Sequence, residues 1–474
     1  MIKCTNNQLK YVDLFSGCGG LSLGLEKAGF KLELAVEKSP MASETFYFNF
    51  INRNATNTDW KKHLELTLEK QADEKLVVNE LGLVLNNTYV LDKIKKRQVD
   101  LVVGGPPCQG FSMAGKRNPD DARNILPWEF MDFIEKTSPK AVIMENVVGI
   151  SKNFSKHKEE APFNQLKKVL EETGQGYFVQ AVQLNAMHFG VPEHRPRMML
   201  LGIRKDISKV KKMYYSDLVW KSEYDNNLPA TFSSRPTIVP KANYFGKIIR
   251  TVKDALWDIN DDGYAYLLSD KKYTKSYAKQ MRDNLEWKAV LKAKSNKILP
   301  NHILRNHSFK VVDRFRLYQV LQKENVNSKV LSYWYKENLN DKEKKALILS
   351  QIDKIKYPVM SPDNVTVAMN IDDMVASIIK LSTRKHSQRP LKINSPSPTV
   401  LTLPDDFIHP TSPRVMSVRE LARIQSFPDM FIFKSKETTG SVRRKFEVPQ
   451  YSQVGNAVAP LLAYELGKKF IELL

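Results

Sequence analysis

Three kinds of polar residue stand at the ends of apolar runs in this sequence, and together they could carry out nucleophilic chemistry in one pocket. Cys108 lies in G-G-P-P-C-Q-G-F-S (104–112), directly after the largely apolar run 99–103. A lone cysteine is usually a small buried hydrophobe. Here Gly104-Gly105 open the backbone and Pro106-Pro107 fix it, so the sulfur sits on a stiff turn at a strand end. Glu145 follows the apolar run 141–144 directly. Such a carboxyl can cap a helix or face water, but beside a presented thiol it reads as an acid for the same pocket. Arg195 and Arg197 flank Pro196 at the start of another apolar run, 198–203. One arginine is expected to enter the pocket while the other supports it from behind.

These residues need a scaffold that gathers strand ends, and the N-terminal part supplies one. The run Y-V-D-L-F (11–15) passes through S-G-C-G-G into a helical segment, 21–28, closed by Gly29. A second strand, 31–36, delivers Glu37 twenty residues after Gly17. Strand, glycine turn, helix and acidic strand end form the nucleoside-binding pattern of a doubly wound α/β sheet, whose carboxyl ends share one edge. The turn departs from G-x-G-x-x-G and by itself is only a tight packing turn; with Glu37 in place it predicts a nucleoside cofactor.

Further along, residues 60–98 read as a charged helical excursion without chemistry. Gln109 to Leu126 reads as a lid-like loop whose Lys116, Arg117 and Arg123 are placed to meet phosphates. Segments 129–136 and 163–173 read as helices, and 177–184 as a strand. Residues 205–390 lose the βα alternation and carry basic clusters at 209–212, 271–279 and 384–389, so they read as a second, irregular domain. Ser395–Leu403 reads as an extended strand. Ser417 with Glu420 reads as a capping box. The segment 451–474 reads as a polar turn bearing Asn456, followed by a helix with an apolar face.

Composition bounds the partners. The 474 residues carry 73 basic and 52 acidic side chains, a formal charge of +21, which concentrates polyanions and points to nucleic acid. Three cysteines, Cys4, Cys18 and Cys108, give no disulfide or zinc pattern. There is no signal-like segment, lipidation motif or long apolar run. The expectation is a cytoplasmic protein without membrane contact or metal.

Taken in order, D-L-F-S-G-C-G-G, G-G-P-P-C-Q-G-F-S, E-N-V, R-P-R, R-E-L-A-R-I-Q-S-F-P and Q-V-G-N-A-V resemble the DNA cytosine-C5 methyltransferases over residues 11–203 and 395–470. The resemblance implies a Rossmann-like S-adenosylmethionine-dependent methyltransferase domain (1–204), a target-recognition domain (205–448) and a C-terminal helix returning to the first (449–474). It implies that Phe15, Ser16, Gly17, Gly19, Gly20 and Pro106 line the cofactor site, with Phe15 on adenine, Glu37 on the ribose, and Asn456 and Val458 over the methionine end. Asp59, preferred to Asp92, is the implied contact to the adenine amine. Cys108 would attack cytosine C6, Glu145 would meet N3 and the exocyclic amine, and Arg195 and Arg197 would complete the pocket, with Gln109, Ser112, Lys116, Arg117 and Arg123 on the DNA. Position 193 is glutamate where the family usually has glutamine.

The implied substrate is a flipped cytosine in double-stranded DNA, the donor S-adenosyl-L-methionine and the product S-adenosyl-L-homocysteine, with no metal. A monomer serving a restriction-modification pair, with a cognate endonuclease acting on the same site, is the fuller expectation. The rivals are a tRNA cytosine methyltransferase, a non-catalytic nucleic-acid binder of the same fold and a dinucleotide oxidoreductase. The last lacks its glycine fingerprint.

Overall fold

The computed structural model describes residues 8–107, 125–148, 162–222, 236–244, 248–265, 276–294, 298–385, 387–440, 443 and 446–474. The apolar runs become strands β1 (Lys10–Leu14), β2 (Lys31–Val36), β3 (Leu76–Val77), β4 (Leu101–Gly104), β5 (Ala141–Asn146), β6 (Tyr177–Asn185), β7 (Glu193–His194), β8 (Pro196–Arg204) and β9 (Trp220–Lys221). All but β7 form one sheet in the order β3-β2-β1-β4-β5-β8-β6-β9. The runs are continuous because both faces are covered: Leu101 and Val103 enter one core while Val102 enters the other, and Ala141 and Ile143 are split likewise from Val142 and Met144.

Strands β3, β2, β1, β4 and β5 are parallel. The winding direction reverses between β1 and β4, which opens a crevice at their carboxyl ends. Strand β8 runs antiparallel to both β5 and β6. Its reversal brings its beginning, rather than its end, to the same edge.

Helix Gly20–Ala28 lies against the terminal helix Pro460–Leu473 so closely that a Cβ on Gly24 would stand 2.4 Å from that of Ala463. The chain's last segment is thereby part of the first core, joined by Tyr277, Trp287, Leu421 and Phe427. A buried ion network helps to hold it: Arg423 pairs with Asp258 and, at 2.6 Å, with Asp429.

A separate core is built from Phe315, Leu317, Tyr318, Ile348, Met374 and Ile378, on helices Phe309–Lys323, Asp341–Ile352 and Ile371–Lys380. The region 205–390, expected to be irregular, thus has a helical centre. Helix Phe309–Lys323 gave no periodic signal because its buried residues surround the axis.

Two other expectations changed. The excursion 60–98 contains β3, an edge strand of two residues too short for any pattern. Of the segment 395–403 only Ser397–Pro398 is strand, paired in parallel with β7; Pro396 and Pro398 lack the donors a longer ladder needs. Among the described residues no helix is long and apolar enough to cross a membrane.

Candidate active site

The carboxyl edge of the sheet brings three groups of expected residues together. The first is the glycine turn. Phe15 and Gly17 both take left-handed backbone, at φ 57° and 55°, a conformation uncommon for phenylalanine. Glu37 fixes the turn: its Oε2 accepts from the Gly17 amide at 2.9 Å and its Oε1 from the Ser39 amide at 2.7 Å. Burial raises the Glu37 carboxyl above the usual range, and these two amides oppose the shift. A Cβ on Gly19 would lie 2.3 Å from the Phe50 ring, and one on Gly20 would lie 2.2 Å from the Val458 carbonyl oxygen. Only glycine lets the 457–458 backbone come this close to the turn.

The turn's polar atoms fit a polar small molecule. Ser16 Oγ and Asp13 Oδ1 are buried and have no hydrogen-bond partner among the described residues, and a buried polar atom left so is costly. Ser22 Oγ donates to the other Asp13 oxygen at 2.6 Å. Burial lifts the Asp13 carboxyl to about 7. Cys18, inside the same turn, is a packing residue: its Sγ lies 3.6 Å from the Gln453 carbonyl, and burial pushes its thiol far upward.

Asp59 is placed elsewhere. It is half-buried, and its Oδ2 accepts from Thr56 N at 2.8 Å and Thr56 Oγ1 at 2.7 Å, completing the capping box of helix Asn57–Glu65. The position beside Glu37 belongs instead to the end of β3, since the Glu37 amide donates to the Val77 carbonyl. Val78 and Asn79 follow there, both half-buried, and the Lys38–Glu80 ion pair at 2.5 Å closes the rim. Sequence reading missed Asn79, because its location depends on β3.

The second group is the acid and its arginine. Glu145 ends β5, and its Oε1 lies 2.9 Å from Arg197 Nε. Burial raises the Glu145 carboxyl against the opposing pull of Arg197 and Arg195. Burial, reinforced by Arg195, lowers the Arg197 guanidinium to about 10. Each side chain of the pair keeps only 12% of its exposure. A Cβ on Gly105 would stand 2.7 Å from Glu145 Oε2, and Asn146 Nδ2 donates to the Pro106 carbonyl at 3.1 Å. The turn leading to Cys108 is therefore pressed against the acid. Cys108 itself, with Gln109, Ser112, Lys116, Arg117 and Arg123, lies outside the described residues.

Arg195 and Arg197 reach different partners. Strict strand alternation would put residues two apart on one face. Arg195, however, falls between β7 and β8, and its side chain turns away. Its Nη2 donates to the carbonyls of Gly455 at 2.6 Å and Ala457 at 2.9 Å, and its Nη1 to that of Val400 at 3.3 Å.

The third group is the segment 453–458. Asn456 is exposed at the end of helix Gln450–Asn456, while Val458 is buried against the glycine turn. Gln453 anchors the segment by accepting from Thr45 Oγ1 at 2.7 Å and donating to the Met41 carbonyl at 3.1 Å. The sequence shows Gln453 inside a motif, but its partners lie over 400 residues away.

A solved structure assigned as a DNA modification methyltransferase encoded within an E. coli prophage superposes with a TM-score of 0.57 over 98% of this chain and 99% of that chain, at 22% identity. This chain shares that protein's fold. The family model for C-5 cytosine-specific DNA methylases matches residues 9–472. Type II methyltransferase M.DdeI of Desulfomicrobium norvegicum is 30% identical over 97% of this chain and 88% of that protein. Type II methyltransferase M.AgeI of Thalassovita gelatinovora is 30% identical over 96% and 97%. The chain belongs to the C-5 cytosine-specific DNA methylase family and is a DNA (cytosine-5-)-methyltransferase.

Proposed function

We propose that the protein methylates C5 of a flipped-out cytosine within a specific double-stranded DNA sequence, as the modification enzyme of a type II restriction-modification pair. The observation that carries this reading is the largely buried Glu145–Arg197 pair pressed against the Gly105 turn, on the same sheet edge as the glycine turn and Val458. Phe15, Ser16, Gly17, Gly19, Gly20, Glu37, Asn79, Pro106, Asn456 and Val458 hold S-adenosyl-L-methionine, which when bound supplies an electrophilic methyl group. The buried, unpartnered Ser16 Oγ supports a polar ligand at the turn.

Cytosine C5 is a poor nucleophile until a thiolate adds to C6. In this reading the Cys108 thiolate forms the S–C6 bond, the C5=C6 electrons move toward C5, and N3 takes a proton from Glu145. A raised Glu145 pKa suits that donor, and Arg197 fixes the carboxyl's orientation. Once C5 carries the methyl group, its proton leaves to a base. The returning electrons expel Cys108 as thiolate, and N3 returns its proton to Glu145. The duplex hides C6, so the base must leave the stack, at a cost of a few kcal/mol. The loop 109–126 and the basic region within 205–448 meet that cost through backbone contacts. The enzyme works as a monomer in the cytoplasm.

The test is transfer of tritiated methyl groups from labelled donor to plasmid DNA and to tRNA, with bisulfite sequencing to map the site. Label in DNA at C5, and a covalent complex with 5-fluorocytosine DNA that Cys108→Ser abolishes, is the expected result. Label confined to tRNA overturns the DNA reading. A Cys108→Ser variant that still traps 5-fluorocytosine DNA overturns the nucleophile.

A further inference from the structure

Glu193 is completely buried and stands on β7, just before the arginines of the base pocket. Its Oε1 accepts from the Val400 amide at 2.6 Å and from Arg195 Nη1 at 3.3 Å. Arg195, also buried, reaches on to the carbonyls on either side of Asn456. Its own backbone amide donates to Asn185 Oδ1 at 3.0 Å. Two residues later, Arg197 holds Glu145. One acid and one guanidinium thus join three stretches far apart in sequence: the base-pocket strands, the returning segment at Val400 and the segment 455–458 against the glycine turn.

The join is tight where it holds segment 455–458 and loose at its centre. Among the described residues, Glu193 Oε2 and Arg195 Nε are both buried without a hydrogen-bond partner. A buried acceptor and a buried donor left so are costly unless a rearrangement satisfies them. Movement of segment 455–458 toward a bound ligand would draw Arg195 with it and leave β8, and so Arg197, in a different balance.

We propose that Glu193 and Arg195 are positioning residues that form a latch between the cofactor-closing segment 455–458 and the Glu145–Arg197 pocket, making cofactor and target base bind cooperatively. This rests on the cofactor and base sites proposed above. Neither residue touches the reacting atoms; both act through the backbone they grip.

The experiment measures the dissociation constant of S-adenosyl-L-homocysteine, alone and with saturating duplex DNA carrying the bisulfite-mapped site. It compares the wild type with Glu193→Gln, Glu193→Ala and Arg195→Lys, each checked by thermal melting. In the wild type, DNA tightens binding by a factor within the ~5–150-fold range of allosteric couplings. Glu193→Gln keeps that factor, because its amide oxygen still accepts from Val400. Glu193→Ala and Arg195→Lys lose the coupling, to below about 2-fold, whatever change they show in the affinity for S-adenosyl-L-homocysteine alone. The wild-type factor persisting in both variants, or a wild type whose binding ignores DNA, overturns the latch. A wild type that does not bind S-adenosyl-L-homocysteine at all overturns the cofactor reading and the latch with it.

Discussion

Replacing Gly105 by alanine tests whether the Glu145–Arg197 contact is what the pocket depends on. Gly105 does not take left-handed backbone, so alanine introduces no φ strain, and the added Cβ is the whole perturbation. That carbon would stand 2.7 Å from Glu145 Oε2, and the next carboxyl atom is at 3.9 Å. To regain ordinary contact the oxygen must retreat by about 0.7 Å. Because the carboxyl group is planar and rigid, a retreat of Oε2 by that much also displaces Oε1 and stretches or breaks its 2.9 Å bond from Arg197 Nε. A hydrogen bond to a charged group contributes about 1.5–3 kcal/mol, so losing it in the reacting state slows the chemical step by roughly 10–150-fold. Single-turnover methyl transfer with saturating donor and DNA reads that step directly. Thermal melting of the same sample should show only the small penalty of local overpacking, about 1–3 kcal/mol. A Gly105→Ala enzyme with wild-type single-turnover rate would refute the claim that Glu145 is held in its working position by this contact.

Three other outcomes follow from the packing and the charges. Asp13 has its folded pKa raised to about 7, so the protonated form is favoured on folding. Its contribution is complete below about pH 4 and is lost as pH rises through 7; urea titrations should therefore show Asp13→Asn gaining on the wild type by up to ~1.4 kcal/mol per pH unit across that window. Arg423→Met removes the cation shared by buried Asp258 and Asp429, leaving Asp429 the 3.9 Å contact to Arg419, a loss expected to cost about 3–5 kcal/mol in equilibrium unfolding. Asp59→Ala should lower the melting temperature through its helix cap while leaving S-adenosyl-L-homocysteine affinity unchanged, whereas Asn79→Ala should weaken that affinity; isothermal titration distinguishes them.

Much of the site was legible because its signals are local. A glycine turn, a proline-stiffened turn and a polar residue after an apolar run each declare themselves within about ten residues, through backbone freedom and strand length. The sequence by itself therefore determined the α/β class, the placement of Glu37 and Glu145 at strand ends, and the family resemblance.

Tertiary structure decided what depends on which strand lies beside which. The reversal of β8 carries Arg197 to the acid, and the break before it sends Arg195 to the far side. The two-residue strand β3 brings the Val77 carbonyl to the Glu37 amide, so that Val78 and Asn79 follow at that edge, while Asp59 is engaged in a helix cap. Helix Phe309–Lys323, whose second half is buried around its axis, became visible only with the core it fills. In each case the deciding contacts join residues distant in sequence, and no periodicity or local propensity encodes which distant partner a chain segment will meet.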